Sequence, residues 1–182
     1  MHCCNSLSIH DRSSCISYHN ISMSKASIHL TRARIWLSLF MVGLILSGIT
    51  AFPIETELNW LAGLITDRST PVAKWILLCR DAVTHVNDTY PFLSYGTDWL
   101  AFAHLVLAMA FIGPWIDPVR NIWVIHFGML ACVAVLPLAL IAGPIRGIPV
   151  YWQLIDCSFG IIGIIPLLFA RWHTVRLMNG RP

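Results

Sequence analysis

Four stretches of this sequence, residues 35–52, 98–115, 121–142 and 150–170, are long, apolar and almost free of charge. A run of about 20 such residues makes a helix that crosses the hydrocarbon core of a bilayer. The surrounding composition leaves little choice: 57% of the residues are hydrophobic, 12% are charged, and the mean hydropathy is +0.68. A soluble core of 182 residues cannot bury that much apolar surface, so lipid must cover part of it. The expected fold is all-α: a four-transmembrane-helix bundle with an extra amphipathic surface helix in the first external loop.

The remaining chain divides simply. Residues 1–33 are rich in Ser, His and Cys and read as a disordered polar tail. They contain no apolar run and so are not a secretory signal. Met23 opens a stretch, MSKASIHLTRARIW, that resembles an ordinary start of a membrane protein, so residues 1–22 are expected to be an over-long gene assignment. Residues 34–173 form the membrane domain and 174–182 a cytoplasmic tail. The first apolar run follows Arg32 and Arg34 and could be compared with a signal peptide cleaved after Ala51. Ile49 fits that cleavage pattern poorly, and the run is long enough to span, which favours an uncleaved anchor.

Between Pro53 and Ser94 the chain is polar enough to leave the bilayer. Two amphipathic stretches remain there, Glu55–Ile65 and a second beginning at Thr70. Thr70 can cap a helix with Pro71 at its first position, and Val72, Trp75, Ile76, Cys79, Val83 and Val86 recur at helical spacing. Lys74, Arg80, Asp81 and His85 lie around the other side. Such a helix lies along a membrane surface or covers the end of a bundle. The later connections are short, and Pro114, Asp117 and Pro118 mark a turn. Pro137 and Pro166 fall inside spans, where neighbouring helices can satisfy the freed carbonyls.

Charge sets the expected orientation. Lys25, Arg32, Arg34, Arg120, Arg171, Arg176 and Arg181 fall on one side, against Arg68, Lys74, Arg80 and Arg146 on the other. This places both termini in the cytoplasm. Trp36, Trp99, Trp115, Trp123, Trp152 and Trp172 stand near span ends, as interfacial aromatics do. The net charge of +3 follows from this topology and points to no nucleic-acid partner. Of the six cysteines, Cys3, Cys4 and Cys15 lie in the tail, Cys132 and Cys157 lie inside spans, and only Cys79 could face an oxidising compartment. None forms a CxxC pair, so neither a disulfide framework nor a zinc site is expected.

Titratable groups inside a bilayer are costly unless paired or wet, so they are the candidates for function. His104 and Asp156 each lie about six residues, roughly 9 Å, below the outer face. Arg146, in the Gly- and Pro-rich connection between the third and fourth spans, and Asp98, at the mouth of the second, stand just above. An outer polar binding cluster of His104, Asp156, Arg146 and Asp98 is expected, with Glu55 or Glu57 as further members. Alternatively Arg146 and Asp156 form a structural salt bridge and Asp98 only caps the second span. His126 lies roughly 7 Å from the cytoplasmic side, with Asp117, Arg120 and His173 as its nearest polar company.

Bis-histidine haem ligation needs two imidazoles at one depth, and His104 and His126 differ by about 13 Å in a core about 30 Å thick. No cofactor or metal is therefore expected, although a cytochrome b-like redox role stays open. HExxH, GxSxG and Walker sequences are absent, so the common hydrolase chemistries lack their residues. The steps Gly43 to Gly48 and Gly160 to Gly163 suit close helix packing.

The run YGTDWLAFAHLVLAMAFIGPWIDPVRNIWVIHFGMLACVAVLPLALIAGPIRGIPVYWQLIDCSFGIIGIIPL at 95–167, with SGITAFPIETEL at 47–58, resembles a group of small bacterial four-helix integral membrane proteins with no assigned activity. The resemblance implies a multi-pass protein of the bacterial cytoplasmic (inner) membrane and carries no reaction or catalytic residue with it. Three functions remain open: a non-catalytic accessory or assembly protein, a small proton- or anion-handling carrier or channel subunit, and a membrane redox protein. The expected partners are the lipid bilayer and either further copies of the chain or a membrane complex.

Overall fold

The computed structural model describes residues 9–180, with side chains from Met23 onward. Among these residues the chain is helical throughout, without a strand: α1 (Ile9–Ala51), α2 (Ile54–Leu64), α3 (Pro71–Thr89), α4 (Pro91–Ala110), α5 (Ile112–Ile116), α6 (Ile122–Ile145) and α7 (Val150–Asn179). Four stretches are long and apolar enough to cross a membrane: Met23–Ala51, Pro91–Ile116, Ile122–Ile145 and Val150–Asn179. They include large side chains directed away from any core, such as Leu130 and Phe159, each 67% exposed. Repeated along every span, such exposure suits lipid and not water. The chain is thus a multi-pass membrane protein.

The helices extend beyond the boundaries read from the apolar runs. No glycine or proline occurs between Ile9 and Val42, so nothing in the backbone ends α1 where the polar residues begin. The segment expected to be a disordered tail over 1–33 is therefore helical from Ile9, while residues 1–8 lie outside the described residues. At the other end α7 continues past Ala170 until Gly180 caps it, so most of the expected 174–182 tail is helix. Likewise α4 starts at Pro91, ahead of the expected start at Asp98.

The chain forms two compact units, one comprising the chain up to Phe40 and from Phe111 onward, the other Met41–Ala110. In the first unit α6 and α7 pack along each other with opposite directions. The contacts fix this: Gly143 lies against Gln153, Gly160 against the Cys132 carbonyl, and Gly128 against Leu167, so one strand of numbers rises as the other falls. At Gly160 a Cβ would stand 2.4 Å from that carbonyl, closer than any side chain is tolerated. Glycine is what allows the two backbones to approach.

The turn joining these helices is a Schellman motif. The Ile148 amide donates to the Gly143 carbonyl (3.0 Å) and the Gly147 amide to the Pro144 carbonyl (3.1 Å). Gly147 takes φ +70°, the left-handed conformation that the motif requires and glycine accommodates. Buried Gln153 then reaches back, its Nε2 donating to the Ile148 carbonyl at 2.7 Å. The defined, tight re-entry expected from the glycines and prolines of 143–149 is present. Pro137 and Pro166 lie inside continuous helices.

On α1, Ala33, Leu37 and Phe40 recur at helical spacing; the first two are fully buried, and Phe40 meets Phe111 with ring centroids 4.8 Å apart. Trp36 stacks on Phe169 of α7 at 4.6 Å. Arg34 donates from Nε to the Trp115 carbonyl (2.9 Å) and from a terminal nitrogen to the Ile116 carbonyl (3.1 Å). A cation there satisfies carbonyls that the end of α5 leaves open. The expected turn follows, with Asp117 Oδ1 accepting from the Val119 and Arg120 amides.

In the second unit, the amphipathic stretches read from the loop are α2 and α3. Thr70 caps α3 as expected, its hydroxyl accepting from the Ala73 amide at 3.2 Å with Pro71 at the first position. The last turns of α1 approach α4 at Gly48, where a Cβ would lie 2.9 Å from the Ala101 carbonyl.

Gly160→Ala is expected to lower stability by about 1–3 kcal/mol through forced separation of α6 and α7. Gly43→Ala, where a Cβ meets nothing within 4 Å, should be neutral or gain up to about 1 kcal/mol from helix propensity. Reversible unfolding in detergent micelles measures both, and the opposite order would refute this account of the helix contact.

Candidate functional site

The polar side chains singled out in the sequence occupy different local settings. In the second unit, His104 on α4 is half-buried, and its Nδ1 stands 2.8 Å from the Leu100 carbonyl of its own helix. A carbonyl only accepts, so Nδ1 carries the proton and Nε2 is left for other use. Asp98, one and a half turns earlier, is half-buried and lies within α4 instead of capping it. Neither residue bonds to the other.

Glu55 is the member of this set with the most partners. Its Oε1 accepts from Thr84 Oγ1 (3.1 Å) and its Oε2 from Asn87 Nδ2 (2.5 Å), while Ser94 Oγ donates to Asn87 Oδ1. Glu55 begins α2, Thr84 and Asn87 end α3, and Ser94 opens α4, so one carboxylate ties three helices. The sequence did not reveal this network because its partners are neutral side chains some thirty residues away. Glu57 is half-buried; its amide donates to the Pro53 carbonyl, and its carboxylate has no hydrogen-bond partner among the described residues.

In the first unit Arg146 and Asp156 do not form the structural salt bridge considered from sequence. Arg146 is the exposed C-cap residue of α6, held there by the Schellman backbone. Asp156 lies half-buried in α7 without a hydrogen-bond partner among the described residues. The ion pair found among those residues is Arg80 with Asp81, neighbours on α3, at 2.5 Å.

His126 has a different partner from those expected. Arg171 Nε donates to His126 Nε2 at 2.9 Å, linking α6 to α7; Asp117, Arg120 and His173 do not bond to it. The lone pair at Nε2 is thus used, which makes the ring the neutral tautomer with its proton on Nδ1.

The same end of this unit holds a cluster that sequence reading missed. His29 Nδ1 and His173 Nδ1 are 2.9 Å apart, Trp172 meets His29 edge-on at 5.9 Å, and Arg176 lies over the Trp172 ring at 5.2 Å. A cleft of about 600 Å³ opens beside them, reaching from Arg32 and His173 along Trp36 and Phe169. Its signal was present: His29, Ala33 and Trp36 share one helical face once the periodicity of α1 is carried back past Arg32. Treating 1–33 as a disordered tail hid it.

Outside the spans, Ser69 donates through its hydroxyl (2.7 Å) and its amide (2.8 Å) to Asp67 Oδ1; these bonds hold the carboxyl below its ordinary pKa. Burial pushes the Cys79 thiol up, which makes it a poor nucleophile near neutral pH. Among the described residues, no three His, Cys, Asp or Glu side chains converge as a metal site would need. Comparison of the chain with protein-family models, with curated proteins and with solved structures finds no match.

Glu55→Ala removes the acceptor shared by Thr84 and Asn87 and should cost about 1–3 kcal/mol. Hydrogen exchange should then accelerate at the C-terminal end of α3 while α6 keeps its protection. Unchanged exchange at α3 would show that the network does not hold these helices.

Proposed function

We propose that this chain is a non-catalytic accessory or assembly protein of the bacterial inner membrane, with both termini cytoplasmic. One observation carries the reading: several polar side chains in and beside the spans close helix ends or join helices. Arg34 donates to the end of α5, Gln153 to the α6–α7 turn, and Arg171 joins α7 to His126 of α6, while His104 donates to a carbonyl of its own helix. The excess of Lys and Arg on one side supports the orientation, and the resemblance to small bacterial membrane proteins supports the location. In this reading the four spans form a bundle and α3 is a surface helix, with Val72, Trp75, Ile76, Cys79, Val83 and Val86 directed toward apolar surroundings.

A second reading is favoured by Asp156, a half-buried span carboxyl lacking a hydrogen-bond partner among the described residues. An ionisable group of that kind inside a membrane marks an ion pathway in many proteins. As a small carrier or channel subunit, the chain would use Asp156 and His104 to handle a proton or an anion.

Reconstitution separates the two. The purified full-length protein in liposomes should dissipate an imposed pH gradient no faster than empty liposomes, and Asp156→Asn and His104→Ala should change nothing. Dissipation that is present in the parent protein and lost in either variant would replace the accessory reading with the carrier reading. For orientation, a C-terminal green-fluorescent-protein fusion should fluoresce and a C-terminal alkaline phosphatase fusion should be inactive; an active phosphatase would reverse the assignment.

A further inference from the structure

The cleft between α1 and α7 lies where polar and apolar sequence meet. Arg32 precedes the apolar run of the first span, and Arg171 and Arg176 follow that of the last. Trp36 and Trp172, residue types that favour the boundary between hydrocarbon and headgroups, stand beside it. Its polar end is formed by Arg32 and the His29–His173 pair, in which one Nδ1–H must donate to the bare Nδ1 of the other ring. That bond ties the two helices together and fixes the end of the cleft.

The walls are of opposite character. Ile35, Leu168 and Phe169 line the cleft and are 59%, 47% and 46% exposed, on helices that lipid surrounds. Arg32 is exposed, and its guanidinium has neither a hydrogen bond nor an ion pair among the described residues. A volume of about 600 Å³ lies within the range of small-ligand sites, about 300–1,000 Å³.

We propose that this cleft binds one anionic phospholipid, with its phosphate at Arg32 and an acyl chain along Ile35, Leu168 and Phe169. Charge complementarity selects the occupant. A guanidinium at the headgroup level without a partner among the described residues recognises phosphate with charge-assisted hydrogen bonds, and an apolar groove continuing from it into the hydrocarbon accepts the attached chain. The Arg176 cation over Trp172 adds positive charge at the same level, which favours a headgroup with net negative charge over a zwitterionic one. The proposal goes beyond the accessory reading and stands whether or not that reading does.

The test is a native mass-spectrometric titration of the full-length protein in detergent with dioleoyl phosphatidylglycerol, compared with dioleoyl phosphatidylcholine and dioleoylglycerol. One phosphatidylglycerol per chain should bind in preference to the other two. Arg32→Gln should weaken it about tenfold. Ile35→Trp, which fills the groove and leaves the charge, should weaken it too, and Arg120→Gln, an exposed cation elsewhere in this unit, should not. Both lipid-site substitutions fall at exposed positions, and circular dichroism verifies that the helices persist. Equal binding by the parent, Arg32→Gln and Ile35→Trp proteins would overturn the proposal, as would an equal loss in Arg120→Gln. Displacement of the lipid by equimolar glycerol 3-phosphate would assign the site to a soluble phosphate and overturn the lipid as occupant.

Discussion

Inside a bilayer no water is present to satisfy a backbone amide or carbonyl, and each group left open costs several kcal/mol. Helix is the answer along each span, and the remaining difficulty is concentrated where helices end, turn or meet proline. The side chains of the first unit address those places in turn. Arg34 closes the carbonyls at the end of α5, Asp117 receives the amides of the turn that follows, and Gln153 completes the Schellman turn after α6. These three polar side chains thus serve the backbone.

Apolar matching does little to hold such helices together, because lipid is as apolar as leucine. Close approach does more. Gly48, Gly128, Gly143 and Gly160 each face a neighbouring helix at a distance that leaves no room for a methyl group, and the dispersion contacts that follow extend along the whole interface. Specific polar contacts then set which faces meet: Arg171 with His126 between α6 and α7, His29 with His173 between α1 and α7, and Glu55 with Thr84 and Asn87 between α2 and α3.

The spans were legible in the sequence because hydrophobicity over about 20 residues is set by the bilayer and needs no knowledge of neighbours. The α3 cap at Thr70 and Pro71 and the tight turn around Gly147 were legible for the same reason, being local. Helix ends were less so: polarity changes at Arg32 and after Ala170, but polarity does not end a helix and glycine or proline does. The site was the least legible. The pairing of Glu55 with Thr84, or of His29 with His173, depends on which helices pack, and a single chain carries no statement of that. A depth counted along the sequence says nothing about the direction in which His104 or Asp156 points around its helix.

The four-residue link between α6 and α7 bears on how the molecule is made. Loop closure for so short a connection has little entropy to overcome, and its geometry is already set by Gly147 and by the reach of Gln153 to the Ile148 carbonyl. The two helices therefore meet as soon as the second leaves the insertion machinery, in a register dictated by the turn. The last 60 or so residues act as one pre-paired hairpin, against which the earlier α1 comes to rest.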